Sequence, residues 1–147
     1  MNKNKIKLFV YGSLRRGLRL NHILTDMGAV FLSDGMTKDN FHVHDLGFFP
    51  GLEKNKAGVR VFGEVWLISE DCLLYLDLVE GVPTLYERKV EKIETTDGNT
   101  VKCFMYEISH KELRSSSNIV NIQDWKTYYE EKKRKEHYEY EKTVSGA

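Results

Sequence analysis

Apolar positions in this 147-residue chain fall into short runs broken by glycine, proline and charged clusters, and most of the runs predict strands. Ile6-Lys7-Leu8-Phe9-Val10 has the length and the β-branched and aromatic content of a buried strand. It ends in the turn Tyr11-Gly12-Ser13-Leu14, after which Leu20, Ile23, Leu24 and Met27 mark one face of a helix. Ala29 to Leu32 forms a further apolar stretch that meets a turn signal at Ser33-Asp34-Gly35. Phe41 and Val43 alternate with His42 and His44, as a half-buried strand requires. Gly47-Phe48-Phe49-Pro50-Gly51 reads as a loop with two exposed aromatics, continued through Lys54-Asn55-Lys56. Val59 to Ile68 is the strongest strand pattern in the chain. Gly63 inside it marks a bulge, a sharp bend or the close approach of another backbone.

Ser69-Glu70-Asp71 then opens a helix: serine is a good N-cap, and two acids in the first turn suit the positive end of the helix dipole. Leu73, Leu76 and Val79 keep helical spacing, and Gly81 stands where a terminating glycine belongs. Arg88 to Glu94 and Thr100 to Ile108 flank Thr96-Asp97-Gly98-Asn99, a hairpin signature. A succession of strands with short interspersed helices predicts an α+β fold, with the strands in a curved sheet or small barrel flanked by the helices. From about Asp124 the composition shifts: residues 126–142 are dense in Lys, Glu and Tyr and contain no Gly or Pro. The expected organisation is therefore one domain over residues 1–123 and a charged, solvated helix or tail over 124–147, peripheral to the barrel.

Charge narrows the function classes. The 22 basic and 22 acidic residues cancel, and the basic run Lys132-Lys133-Arg134-Lys135 is hemmed by Glu130, Glu131, Glu136, Glu139 and Glu141, so no nucleic-acid partner is expected. No apolar stretch approaches the length of a membrane span, and the basic start Met1-Asn2-Lys3-Asn4-Lys5 precedes too short a run for a secretory leader. Cys72 and Cys103 have no CxxC spacing. Together these point to a cytoplasmic protein with reduced thiols. Phosphate-binding glycine motifs and a GxSxG elbow are absent. His42 and His44, with Asp45 or His22, lack a third ligand at a recognisable spacing, so no metal is expected. Trp66 and Trp125 are expected in the core.

Two places remain that can carry chemistry. At Gly12-Ser13, a turn leaving a strand lets main-chain N–H groups converge on an anion, because glycine has no Cβ to block the approach. At Glu80, a carboxylate sits in the last turn of a predicted helix. The negative end of the dipole, any burial, and the neighbouring Asp77 three residues back all disfavour its charged form and raise its pKa toward the range of a neutral-pH acid/base. The competing readings are an ordinary tight turn and a solvated surface acid.

In order along the chain, four segments resemble the gamma-glutamylcyclotransferase-like family, which includes gamma-glutamylamine cyclotransferases and AIG2-like proteins. They are Leu8-Phe9-Val10-Tyr11-Gly12-Ser13-Leu14-Arg15-Arg16-Gly17, Leu46-Gly47-Phe48-Phe49-Pro50-Gly51, Val61-Phe62-Gly63-Glu64-Val65-Trp66 and the stretch from Leu76 to Arg88. The likeness spans about residues 6–108. It implies a small mixed β-barrel with flanking helices and a cavity at one side, and release of 5-oxoproline and a free amine from a gamma-glutamyl amine or gamma-glutamyl amino acid, without cofactor or metal. On this reading Glu80 is the general acid/base, and Tyr11, Gly12, Ser13, Leu14 and Tyr86 hold the substrate. A binding or regulatory protein on the same fold, with the cavity kept and turnover lost, is the alternative. The leaving amine and the oligomeric state are not legible in the sequence.

Overall fold

The structure, a computed structural model, describes residues 3–109, 113 and 118–145. Residues 110–112 and 114–117 of the expected 1–123 domain, residues 146–147 of the expected tail, and Met1 and Asn2 of the basic start lie outside the described residues. Among the described residues, eight strands and three helices follow in the order β1 (Ile6–Val10), α1 (Asn21–Asp26), β2 (Val30–Thr37), β3 (Phe41–Asp45), β4 (Pro50–Lys54), β5 (Phe62–Ile68), α2 (Glu70–Val79), β6 (Tyr86–Thr95), β7 (Thr100–Ile108), β8 (Asn118–Ile119) and α3 (Trp125–Ser145). Five of the strands close a barrel in the order β1-β5-β2-β6-β7, and β4-β3-β8 form a separate three-stranded sheet. The barrel is mixed because β1 runs antiparallel to β5 and parallel to β7.

The continuous apolar run of β1 is explained by burial on both faces. Leu8 and Val10 join Trp66, Ile68, Tyr106 and Ile108 in a core with Ile23 and Leu24 of α1 and Cys72, Leu73 and Leu76 of α2. Their sequence neighbours Phe9, Val65, Cys103 and Met105 point the other way, into a second core with Phe41 and Val43 of β3 and Leu52 of β4. Period-two alternation thus sorts each barrel strand between two cores. Both cysteines are buried and free, and among the described residues no helix is long and apolar enough to cross a membrane.

Local signals hold where a cap or hairpin enforces them. The Ser69 hydroxyl accepts from the Cys72 N–H at 3.1 Å, and Gly81, at φ +67°, follows the last turn of α2. The β6–β7 hairpin keeps unbroken register from Tyr86↔Ile108 to Glu94↔Thr100. At Gly63 the reading of close approach is the right one: a Cβ there would stand 2.4 Å from the Val10 carbonyl oxygen and 2.6 Å from the Phe9 ring.

Three expectations change. Ser33-Asp34-Gly35 is no turn. After an irregularity in register between Phe31 and Ser33, β2 continues to Thr37, paired with β5 and then β6. Pairing on both sides outweighs the local turn propensity. The loop expected around Pro50 and Lys54 is instead strand β4, paired with β3 from Asp45↔Pro50 to Phe41↔Lys54. Of its two aromatics, Phe48 is exposed but Phe49 packs against the first core. Finally, the pattern at Val59–Ile68 becomes a strand only from Phe62, while Val59 forms an isolated bridge to Phe41.

The expected tail is the helix α3, and its first turns engage the body. Trp125 is 1% exposed, as buried as the core residue Trp66 at 3%. Tyr128 donates to Asp45 at 2.6 Å, and the Lys132 ammonium lies 3.1 Å from the same carboxylate. Hydrogen bonds from Tyr128, the Gly47 N–H and Lys132 outweigh burial and hold the Asp45 carboxyl below its usual range. From Lys133 to Val144 the helix is solvent-exposed.

Candidate active site

The chain leaving β1 and the C-terminal end of α2 meet across a cavity of about 300 Å³. Its walls include all six residues singled out from the sequence: Tyr11, Gly12, Ser13 and Leu14 on one side, Glu80 and Tyr86 on the other. Sequence reasoning assigned no role to Arg19, Tyr106, Val79 or Leu85, which also line it. Tyr106 was accessible to that reasoning, since it alternates in step with Phe104 and Ile108 on a predicted strand and joins them at the first core. Arg19 carried no signal of its own, because only the fold brings the turn before α1 to this wall.

The 12–14 segment is held so that its carbonyls are used and, among the described residues, its N–H groups are not. The Gly12 carbonyl accepts from the Arg15 N–H at 3.0 Å and the Ser13 carbonyl from the Leu20 N–H at 2.9 Å. The Leu14 carbonyl accepts from the Asn21 side chain at 2.8 Å. The N–H groups of Gly12, Ser13 and Leu14 have no acceptor among the described residues. Main-chain donors without a protein acceptor at a cavity wall are chemically able to receive an anion. Gly12 has a further reason to lack a side chain: a Cβ would lie 2.8 Å from two ring carbons of Pro50, which forms the adjoining wall.

Beneath this segment, Glu64 is 2% exposed and fully engaged. Its carboxylate accepts from the Arg16 N–H at 3.0 Å and the Trp66 indole N–H at 3.1 Å, and ion-pairs with Arg16 at 3.4 Å and Arg15 at 3.6 Å. From outside, Asp124 meets the Arg15 guanidinium at 2.8 Å, and the Lys126 ammonium donates to the Arg16 carbonyl at 2.7 Å. The loop is therefore clamped between the barrel and the start of α3. An acid in the middle of the strongest apolar strand was the available signal for such a buried pairing.

Glu80 presents the opposite situation. It caps the C-terminus of α2 with helical φ and ψ of −82° and −5°. Its carboxylate has no hydrogen-bond or ion-pair partner among the described residues, and burial alone lifts its pKa to about 7. The repulsion expected from Asp77 is not part of this. Asp77 is turned to other partners, the Arg88 guanidinium at 3.0 Å and the Tyr106 hydroxyl at 2.8 Å. The remaining hydroxyls of the cavity are also committed: Tyr86 donates to the Pro50 carbonyl at 2.6 Å and Tyr11 to the Tyr106 carbonyl. Burial raises the pKa of Tyr11, Tyr86 and Tyr106 in turn, with the Glu80 charge adding to each. These three are neutral donors, not bases.

His42 and His44 do not line this cavity. His42 contacts the Asn121 side chain at 3.2 Å and His44 the Glu53 carboxylate at 3.2 Å, and no metal-binding group of three His, Cys, Asp or Glu occurs among the described residues.

Residues 8–127 match the family described as gamma-glutamyl cyclotransferase, AIG2-like. The match runs past Ile108, where the resemblance read from the sequence stopped, and reaches into α3. A Vibrio cholerae protein provisionally named gamma-glutamylcyclotransferase is 36% identical over 118 residues, covering 80% of this chain and 93% of its own. The gamma-glutamylaminecyclotransferase of Rattus norvegicus is 29% identical over 114 residues, covering 67% and 75%. Among solved structures, an AIG2-like protein from Mus musculus superposes with a TM-score of 0.71 at 26% identity, covering 82% of this chain and 87% of that one.

Proposed function

This chain belongs to the gamma-glutamyl cyclotransferase, AIG2-like family, and on that premise we propose that it releases 5-oxoproline and a free amine from a gamma-glutamyl amine or gamma-glutamyl amino acid, with Glu80 as the general acid/base. The observation that carries this reading is one carboxylate without a partner, raised to a pKa of about 7 and lining the same cavity as the free N–H groups of Gly12, Ser13 and Leu14.

The chemistry follows from that pairing. The α-amino nitrogen of the glutamyl group attacks its own γ-carbonyl carbon, forming the five-membered ring while the bond to the leaving nitrogen breaks. A carboxyl group titrating near neutrality accepts the proton from the attacking amine and returns it to the departing one. Because the reaction is intramolecular, the site's main task is to hold the folded conformer with nucleophile and carbonyl in contact. The N–H groups of residues 12–14 supply donors for the α-carboxylate or the developing oxyanion, and Tyr86 closes the wall beside Glu80. No cofactor or metal enters this scheme.

The test is 5-oxoproline release across a panel of gamma-glutamyl amino acids and gamma-glutamyl amines, with the native protein and Glu80→Gln side by side. Release by the native chain and its loss in the variant supports the assignment. Binding of these compounds without release would instead favour a ligand-binding role for the cavity.

A further inference from the structure

We propose that Asp45 is a positioning residue for the reaction: by tying the turn between β3 and β4 to α3, it holds the Pro50 wall of the cavity against the 12–14 segment, so that the cavity has its working shape before substrate arrives. This role rests on the gamma-glutamyl reading above and is exerted from outside the cavity, which Asp45 does not line.

Asp45 ends β3 and pairs directly with Pro50, the first residue of β4. Between them the Leu46 N–H donates to the Phe49 carbonyl at 3.0 Å, and the Gly47 N–H donates to the Asp45 carboxylate at 2.8 Å. The same carboxylate accepts from the Tyr128 hydroxyl at 2.6 Å and from the Lys132 ammonium at 3.1 Å, and Lys132 also reaches the Gly47 carbonyl at 3.4 Å. Two side chains one turn apart on α3 thus grip this turn. What the turn carries is cavity wall, since Phe49 and Pro50 both line it. Pro50 stands where the two halves of the site meet. Its ring lies 2.8 Å from where a Cβ on Gly12 would stand, and its carbonyl accepts the hydroxyl of Tyr86, whose pKa the Glu80 charge helps to raise.

The opposite wall hangs on the same helix. At its head the Asp124 carboxylate accepts the Thr127 N–H at 3.3 Å and meets Arg15 at 2.8 Å, while Lys126 donates to the Arg16 carbonyl at 2.7 Å. One rigid element therefore sets the spacing between the segment with free N–H groups and the wall that faces it. Removing the Tyr128 and Lys132 donors releases one attachment and keeps the other. The walls are then in register for only part of the time. Substrate binds that fraction alone, which raises the apparent dissociation constant and leaves the bound complex as it was. A merely structural tie acts otherwise, because it lowers the amount of folded enzyme, and with it kcat, at an unchanged KM.

The test is 5-oxoproline release from gamma-glutamyl-alanine and gamma-glutamyl-butylamide by the full chain carrying Tyr128→Phe together with Lys132→Met, which removes both donors with little change of shape. With the faster of the two compounds, KM should rise about tenfold, the scale of one charge-assisted contact, while kcat stays within about twofold of native. Should the double variant fail to fold, Lys132→Met alone, at a side chain 32% exposed, carries the test with an expected rise in KM of about threefold. Lys132→Arg, which keeps the charge, should stay near the native value. An unchanged KM in a variant whose circular dichroism is native overturns the proposal, whether kcat holds or falls. Release from neither compound by the native protein removes the gamma-glutamyl reading and this inference with it, whereas native release with an unmoved variant KM removes this inference alone.

Discussion

Glu64 and Glu80 are carboxylates on either side of the same loop, and the protein treats them in opposite ways. Glu64 is sealed among Arg15, Arg16 and Trp66, with every approach occupied by a donor or a cation. Glu80 ends a helix whose dipole gives it no help, and burial without a partner leaves it near pKa 7. A carboxylate that is matched with cations and donors organises structure, while one left unmatched keeps a proton available at neutral pH. One fold thus holds both kinds of acid, and the difference lies in what surrounds each.

The largest expected effect breaks the reactive side. Glu80→Gln keeps the shape and removes the proton shuttle proposed for Glu80, so 5-oxoproline release should fall by about 10²–10⁴-fold. In the native protein the basic form of Glu80 should govern one limb of the pH–rate profile near pH 7. Stability should move the other way. The folded pKa of about 7 lies above the ordinary glutamate value of 4.5, so the unfolded chain loses its proton first as pH rises. The native protein therefore weakens between about pH 4.5 and 7 relative to Glu80→Gln, by up to roughly 3 kcal/mol. Urea unfolding of both proteins at pH 4 and pH 8 measures the gap. A variant with near-native release would end the assignment of Glu80.

Breaking the matched side should act on the fold first. Glu64→Ala leaves the buried Trp66 indole N–H without its acceptor and removes the inner partner of Arg15 and Arg16, which keep Asp124 and Asp34, and the expected loss is about 1–3 kcal/mol of stability, read from urea midpoints. Turnover should fall as well, because the 11–14 segment loses its inner clamp. Unchanged stability would show that the network contributes nothing to holding the loop.

A third experiment separates the inner clamp from the outer one. Truncation after Asp124 removes Trp125 and Lys126, and the lost burial of one tryptophan alone predicts about 3 kcal/mol or more. Truncation after Arg134 takes away residues that are exposed throughout the described stretch 135–144 and should cost under about 0.5 kcal/mol. Equal melting curves for both truncations would return α3 to the peripheral role that its composition suggests.

That composition shows where the sequence was legible and where it was not. Strands with both faces buried, such as β1, and helices with a local cap, such as α2 after Ser69, were readable because short-range rules determine them. The cavity residues 11–14 and 80 were readable for the same reason: a glycine turn and an acid at the wrong end of a helix each depart from local preference. Missing from the reading was whatever depended on distant pairing. Ser33-Asp34-Gly35 became strand because β5 and β6 lie on either side of it, and Pro50 began a strand because β3 supplied its partner. Asp77 was read as a repulsive neighbour of Glu80, since sequence spacing shows proximity along a helix but not the Arg88 side chain that claims it. Trp125 was expected in the core while the helix it begins was expected outside. The structure reconciles these by docking only the first turns.

The smallest expected effect tests the loop between the two acids. If the free N–H groups of Gly12, Ser13 and Leu14 hold the glutamyl end, the Ser13 hydroxyl is an auxiliary donor, and Ser13→Ala should weaken substrate binding by about 1 kcal/mol, roughly fivefold. Gly12→Val should act more strongly and on a different quantity, because its side chain collides with the Pro50 ring and moves the wall along with the donors. Melting temperature and ligand affinity measured on both variants separate these causes. Ser13→Ala should leave melting unchanged and lower affinity, whereas Gly12→Val should lower both. Should Ser13→Ala eliminate turnover while binding persists, the hydroxyl would belong to the chemistry, and the proton transfers assigned to Glu80 alone would have to be shared.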